Sequence, residues 1–345
     1  MATARVFQVQ VREVVRETAA ACSFVLDPLT DDGALDYRPG QFLTVRVPAD
    51  GASLARCYSM SSAPDLGEPP RITVKRVQGG VGSNWLCDNA VKGTVLDVIA
   101  PAGRFVPVSL DRDLVVYAGG SGITPIMSIV KAVMAAGTGR VAMLYANRDE
   151  SSVIFAGELR ALQERHPDRL FVTHWLESLS GVPTEDVLRQ FAAPFPSRDV
   201  FVCGPGPFME SVRCGLTGPG SSGSPGRAVH IEEYRSLSGD PFGSGEPVPD
   251  EGGAAAEAVI RLNGDEHTVR WPENNRLLDV LLAAGMDVPY SCREGSCSAC
   301  ACILLEGEVA HDANTILEEQ DLEDGVILPC QARALTERVV VSYDH

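Results

Sequence analysis

Three cysteines at a short fixed spacing, Cys292-x4-Cys297-x2-Cys300, with a fourth at Cys330, constrain this chain more than any other feature. Four of its ten cysteines crowd into residues 292–302 while the rest are scattered. In a chain kept in a reducing compartment, such crowding points to metal ligation rather than to disulfides. A run of three with a distant fourth is the spacing of a plant-type [2Fe–2S] site. A structural zinc site of four cysteines usually draws on two short Cys-x2–4-Cys pairs, whereas here there is one compact triple and a lone partner. The neighbours Arg293, Glu294, Gly295, Ser296, Ser298 and Ala299 are mostly small, so the loop can wrap a cluster and aim backbone N–H groups at its sulfurs. Cys302 would share a face with Cys300 on a strand, yet the pattern is complete without it, and a core thiol is expected there.

The remaining 256 residues before Glu257 are too many for one domain, and the whole length suits two or three. Short β-rich runs fill residues 5–108: Phe7 to Val15, Ser23 to Leu26, Gln41 to Val47, Cys57 to Ser61, Arg71 to Val77 and Thr94 to Ile99. Turn signals separate them, which predicts a small antiparallel barrel. From Asp113 the rhythm becomes strand, glycine turn, helix: Leu114 to Ala118, Pro125 to Ala136, Val141 to Ala146, Ala156 to Arg165, then strands at Leu170 to Leu176 and Asp199 to Cys203. That alternation predicts a doubly wound parallel α/β sheet. Gly, Ser and Pro dominate 217–227, expected to be a loop before a strand at Ala228 to Tyr234, and 236–256, expected to be a linker. Beyond it, Asn263-Gly264 between two alternating runs predicts a hairpin, followed by a helix over Leu277 to Ala284.

The net charge of −17 is distributed unevenly. Residues 1–239 carry a net −2, 240–256 a net −4 and 257–345 a net −11, from 6 basic and 17 acidic residues. Such acidity excludes generic affinity for nucleic acid. No apolar run approaches the ~18 residues of a membrane-spanning helix, and Met1 to Val15 lacks the core of a signal peptide. The expectation is a cytoplasmic protein with no membrane or nucleic-acid partner.

Several motifs then line up in one order. Arg56-Cys57-Tyr58-Ser59-Met60-Ser61-Ser62 resembles the Arg-x-Tyr-Ser-x-x-Ser flavin signature of the ferredoxin–NADP reductase superfamily. The resemblance implies that Arg56 pairs with flavin phosphate, Tyr58 packs on the flavin, and Ser59 and Ser62 lie at the site, with Ser59 near N5. A planar bidentate cation suits a pyrophosphate. Downstream, Val74-Lys75-Arg76 leads to Gly79-Gly80-Val81-Gly82-Ser83, where glycines feed a helix start able to bind phosphate; Val74, Lys75, Arg76, Gly82 and Ser83 are the candidate cofactor contacts, and a plain flexible loop with Ser83 as N-cap is the other reading. Gly119-Gly120-Ser121-Gly122-Ile123-Thr124-Pro125 resembles that family's Gly-x-Gly-x-x-Pro dinucleotide loop and departs from the Rossmann Gly-x-Gly-x-x-Gly fingerprint. Asn147 and Arg148 end a strand of the same domain. Cys203-Gly204-Pro205 resembles the family's Cys-Gly-Pro segment beside the nicotinamide, and His230-Ile231-Glu232-Glu233-Tyr234 its His-x-Glu-x-Phe ending, with Tyr234 in place of Phe. Glu232 and Tyr234 join the candidate contacts, Ser59 and Cys203 the candidate catalytic pair; His230 is assigned no role.

The resemblance implies an FAD-binding barrel over 1–110, an NAD(P)-binding α/β domain over 111–235, and a β-grasp α+β ferredoxin domain over 257–345. It further implies a reductase component of a multicomponent oxygenase: electrons pass from a nicotinamide through FAD, which converts a two-electron donor to one-electron steps, into a [2Fe–2S] cluster and on to a terminal oxygenase. Residues 83–90, 145–150 and 238–242 resemble the reductases of 3-ketosteroid 9α-hydroxylases, which points to a Rieske-type partner. A reductase for a di-iron monooxygenase such as phenylacetyl-CoA epoxidase is the alternative. A redox-sensing iron–sulfur flavoprotein is a third reading, and no DNA-binding element supports it. NADH is expected over NADPH, because Asp149 and Glu150 follow Arg148 and repel a 2′-phosphate. A monomer is expected.

Overall fold

The computed structural model describes residues 6–29, 35–49, 52–217, 229–234, 236–237, 239–243, 254–317 and 319–344. Of the expected linker, 244–253 lie outside the described residues, as do 218–228 of the glycine-rich loop and its following strand, and Glu318 of the acidic run.

The first unit is a six-stranded antiparallel sheet in the order β4-β3-β6-β1-β2-β5, formed by β1 (Val6–Thr18), β2 (Ala21–Pro28), β3 (Phe42–Ala49), β4 (Ala52–Ser59), β5 (Arg71–Lys75) and β6 (Val95–Ala102). Alternation does the folding here: Phe7, Val9 and Val11 are buried while their neighbours face out. An antiparallel bridge between Met60 and Ile72 joins the two ends of the sheet and closes the barrel. Helix α1 (Val81–Asn89) packs on β3 and β5 and buries Leu86 in the barrel core. It starts earlier than the sequence suggests. Gly80 is the N-cap, so Gly82 and Ser83 lie inside the first turn, and the Ser83 hydroxyl accepts the Val77 N–H at 3.1 Å instead of capping the helix.

The second unit is a five-stranded parallel sheet in the order β11-β10-β7-β8-β9, comprising β7 (Leu114–Gly119), β8 (Val141–Asn147), β9 (Leu170–Leu176), β10 (Asp199–Cys203) and β11 (Val229–Glu232). Helices α2 (Ile123–Ala136), α3 (Ala156–Arg165), α4 (Glu177–Ser180), α5 (Glu185–Ala192) and α6 (Gly206–Thr217) accompany it. All of β7 is buried, as a central parallel strand covered on both faces must be. The chain leaves β7 toward β8 and returns on its other side as β10, so a topological switch point lies between the carboxyl ends of β7 and β10.

The third unit pairs β12 (Ala255–Leu262) and β13 (Asp265–Pro272) through the expected Asn263-Gly264 turn, where both residues adopt the left-handed conformation. Helix α7 (Leu277–Ala283) follows, then β14 (Cys302–Glu306), β15 (Val309–His311), α8 (Glu319–Glu323), β16 (Val326–Ile327), β17 (Ala332–Ala334) and β18 (Arg338–Ser342). The sheet order is β13-β12-β18-β14-β16, with β12 and β18 parallel, and α7 contributes Leu277, Leu278 and Leu281 to the core beside buried Trp271.

Two seams join the units. Between barrel and α/β domain, the buried Lys131 ammonium of α2 pairs with Glu68 and Glu158, and Arg71 of β5 pairs with Glu158 at 2.9 Å. Between barrel and ferredoxin unit, the described part of the expected linker is packed rather than free: Leu237 and Phe242 join Ala55, Ile99 and Cys292 in one apolar cluster, and the Arg46 guanidinium lies 4.4 Å over the Phe242 ring.

Candidate functional site

Strand β4 distributes its motif over two faces, as alternation requires. Arg56 and Tyr58 face α1: a side chain at Gly82 would lie 3.1 Å from Arg56 Cγ and 3.5 Å from Tyr58 Oη. The missing Cβ leaves a cradle there. The first turn of α1 has no side-chain cap and no acidic residue, so its free N–H groups and Arg56 form a site of the right sign for a pyrophosphate. The Arg56 guanidinium also donates to the carbonyls of Ala55 at 2.7 Å and Leu237 at 3.2 Å, which fixes its position at the end of the cradle. Burial pushes the Tyr58 phenol well up, so it stays neutral. These features fit the phosphate end of FAD. Ser59 faces the other way with Cys57, into a cleft.

Three further candidate contacts have partners of their own in the fold. Val74 is barrel core, Arg76 pairs with Asp88 at 2.7 Å, and the Ser62 hydroxyl is held by Tyr37 at 2.6 Å and by the Arg71 N–H at 2.8 Å.

At the switch point two loops touch so closely that only glycine fits. A Cβ on Gly122 would meet the Cys203 carbonyl oxygen at 2.0 Å, and one on Gly119 would meet Pro205 Cδ at 2.8 Å; Gly204 lies against Gly119 from the other side. Gly120 takes a left-handed conformation, and the space over it is filled by the Lys75 ammonium. Burial and the neighbouring Arg148 lower the Lys75 pKa, so two cations crowd the loop and an anion between them would relieve the repulsion. Asn147 is 7% exposed, and its amide oxygen has no hydrogen-bond partner among the described residues. An unpaired buried amide oxygen beside a glycine loop and two cations is a set of polar groups that a dinucleotide could complete. Pro125 lies in the first turn of α2, and the Thr124 hydroxyl is shared with Tyr234 Oη at 2.7 Å.

Tyr234 ties the two sites together, since Ser59 Oγ donates to the same phenol at 3.2 Å. The residue as a whole is 41% exposed. Beneath it Cys203 is fully buried; burial, with the Glu232 carboxylate beside it, pushes the thiol well up, and it is not a thiolate at neutral pH. Burial also pushes the Glu232 carboxyl up to about 8.

In the cysteine loop, Arg293, Gly295 and Ser298 take left-handed conformations, which turns the chain around a centre. Cys292, Cys300 and Cys330 are buried and Cys297 is half-buried. The sulfurs of Cys297 and Cys330 beside Cys292 hold its thiol well below the ordinary range. Backbone N–H groups of Cys292 and Glu294 approach Cys297 Sγ and Cys292 Sγ, each at 3.4 Å, and the Gln331 amide reaches Cys330 Sγ at 3.7 Å. Four convergent soft sulfurs, three of them met by N–H donors, fit an iron–sulfur cluster. Cys302 is a buried thiol of the domain core.

The two halves face one another across a cleft of about 440 Å³ lined by Ser59, Glu232 and Tyr234 on one side and Ser296, Cys297 and Ser298 on the other. A larger crevice of about 900 Å³ runs between Ile99 to Arg104 and Met286 to Tyr290, but it reaches none of Ser59, Glu232 or Tyr234. The motifs gave no sign of Thr44 and Ser291, which meet across the same seam.

Residues 7–106 match the oxidoreductase FAD-binding domain, 116–214 the oxidoreductase NAD-binding domain, and 260–335 the 2Fe-2S iron-sulfur cluster binding domain. The chain is 50% identical over 340 residues to the ferredoxin reductase component of 3-ketosteroid-9-alpha-monooxygenase from Rhodococcus rhodochrous, covering 96% of this chain and 95% of that one. The chain belongs to this family of oxygenase reductases. It is an NAD(P)H-dependent iron–sulfur flavoprotein oxidoreductase, the electron-transfer component of an oxygenase system with a separate terminal oxygenase. A subunit of the 1,2-phenylacetyl-CoA epoxidase of Escherichia coli is a more distant relative, 30% identical over 351 residues and covering 97% and 96% of the two chains. The crystal structure of phthalate dioxygenase reductase shares the three-unit architecture with a TM-score of 0.57 and 26% identity over 98% of both chains. Among the described residues no helix is long and apolar enough to cross a membrane.

Proposed function

We propose that this oxygenase reductase is a cytoplasmic monomer that oxidises NADH in preference to NADPH and feeds a Rieske-type oxygenase acting on a 3-ketosteroid. The 440 Å³ cleft carries the reading, because it sets the flavin-motif residue Ser59 and the nicotinamide-side residues Glu232 and Tyr234 opposite the cysteine loop. The 50% identity to the Rhodococcus reductase supports the steroid system over the epoxidase, whose matching chain is 30% identical. All ten cysteines are free, which suits a reducing compartment.

When bound, FAD and the cluster supply conversion of a two-electron donor into single-electron steps. In this reading Arg56, Gly82 and Ser83 hold the flavin pyrophosphate, Tyr58 supports the adjoining part of the flavin, and the Ser59 hydroxyl points toward its reactive edge. The loop 119–125, with Lys75, Asn147 and Arg148, holds the dinucleotide. Gly204 and Pro205 keep Cys203 against that loop, where its neutral thiol packs beside the nicotinamide without competing as a nucleophile. Cys292, Cys297, Cys300 and Cys330 ligate iron. Hydride transfer needs orientation rather than an acid–base residue. Arg148 is exposed with Asp149 and Glu150 beside it, a charge arrangement that disfavours a 2′-phosphate.

The test is reconstitution. Purified chain with bound FAD and iron–sulfur cluster should drive the oxygenase of a 3-ketosteroid 9α-hydroxylase with NADH. Turnover only with an epoxidase oxygenase would move the assignment to the di-iron system, and zinc in place of iron would refute the cluster.

A further inference from the structure

Strand β4 carries flavin-motif residues on both sides of Cys57, and Cys57 faces the cysteine loop rather than α1. Its Sγ lies 3.5 Å from the Thr44 hydroxyl of the neighbouring strand β3, with which it is in register. Thr44 Oγ1 in turn lies 2.5 Å from Ser291 Oγ, the residue immediately before Cys292. Thr44 is 0% exposed and Ser291 1%. Ala55, Ile99, Leu237 and Phe242 form an apolar collar around the contact, so water does not compete for these hydroxyls.

We infer that Thr44, Cys57 and Ser291 form a dry hydroxyl–thiol clasp that seats Cys292 on the outer face of β4 and makes Thr44 and Ser291 positioning residues for electron passage from the flavin strand to the cluster. The inference rests on the reading that Cys292 is a cluster ligand and that the flavin lies along β4. A buried polar pair between two domains is costly unless both partners meet, so it selects one docking register where an apolar seam alone would tolerate several. The route is short and mostly covalent: the β4 backbone to Cys57, the hydrogen bonds through Thr44 to Ser291, and one peptide unit to Cys292. NADH would first reduce the flavin by hydride transfer; each later event passes one electron from the reduced flavin to the oxidised cluster, and no bond within the clasp forms or breaks.

The intact holoprotein tests it with Thr44→Val, which keeps shape and removes the hydroxyl, Ser291→Ala, the double variant, and Thr44→Ser as the conservative rescue. Stopped-flow absorbance separates flavin reduction by NADH from cluster reduction. Cluster reduction should slow roughly fivefold in Ser291→Ala, the factor expected for losing one hydrogen bond of ordinary strength, and at least as much in Thr44→Val, which also gives up the contact with Cys57. The double variant should be no slower than the worse single one, since both lose the same bond. Thr44→Ser should restore the rate, and flavin reduction and the cluster's midpoint potential should stay at wild-type values. Amide exchange over residues 288–294 should quicken in Thr44→Val, a readout independent of turnover. Wild-type cluster reduction in both single variants, or equal slowing of the flavin and cluster steps, overturns the clasp. A wild-type protein that lacks flavin or iron overturns the underlying functional reading instead, and its visible spectrum reveals that before any variant is made.

Discussion

Glu232 is the residue whose protonation the fold most clearly controls, because burial beside Cys203 and Cys57 favours its neutral form. A carboxyl held above its ordinary 4.5 contributes stability that is complete below that value and is lost as pH rises through about 8. Wild-type protein should therefore lose thermal stability from pH 4.5 to pH 8 relative to Glu232→Gln, by on the order of 3 °C. A pH-independent difference between the two would mean that Glu232 is ionised throughout. Asp149 offers a second test at this scale. Its carboxylate accepts from the Ser152 N–H at 2.9 Å and the Ser151 hydroxyl at 2.7 Å, so Asp149→Asn keeps the turn and removes only the charge beside Arg148. The ratio of kcat/KM for NADPH over NADH should rise about fivefold in that variant. An unchanged ratio would show that the charge does not sense the 2′-phosphate.

Among the elements, α2 is anchored to the barrel by a buried cation rather than by apolar contact alone. Lys131 is 2% exposed and serves Glu68 of the barrel and Glu158 of α3, while Arg71 also holds Glu158. Lys131→Met should destabilise by about 2 kcal/mol, less than a fully buried pair would cost because both carboxylates reach solvent. The midpoint of urea unfolding would register it, and an unchanged midpoint would mean that the seam is held by its apolar neighbours. Such contacts explain which parts of the molecule were legible beforehand. Three of the cysteine ligands, Cys292, Cys297 and Cys300, sit within a few residues of one another, and β7 with its glycine turn and α2 form one local unit, so spacing and periodicity expose them. Lys131 meets Glu68 from 63 residues away and Thr44 meets Ser291 from 247, and no local pattern encodes either pair. The start of α1 was legible only in part: the glycine cluster announced a helix, but Ser83 turned inward to Val77 and left Gly80 as the cap.

Across the whole molecule, charge separates the third unit from the other two, since residues 257–345 carry a net −11. Its cations are largely spent internally: Arg276 and Arg333 on Asp312, Arg293 on Asp279, Arg338 on Glu257 and Glu306, Arg261 on Glu266. Asp321 of α8 turns toward Arg104 of the barrel at 3.7 Å, so it belongs to the seam and not to the outer face. Glu319, Glu323 and Asp324 remain exposed around Leu322, itself 46% exposed, an acidic rim about one apolar residue. That surface suits docking on a basic patch of the terminal oxygenase. The bland reading is a solvated helix face, and ionic strength separates the two. If docking is electrostatic, oxygenase turnover should fall several-fold as salt rises from low to about 0.5 M, where screening contracts to roughly 4 Å, while NADH-driven ferricyanide reduction holds steady. Glu319→Lys with Glu323→Lys should reproduce that loss at low salt without touching the flavin step, and Cys330→Ser should abolish oxygenase turnover while sparing ferricyanide reduction. Salt-independent turnover in the intact protein, or full activity in the double charge reversal, would place the oxygenase on another face, whereas full oxygenase activity in Cys330→Ser would remove the cluster from the electron path altogether.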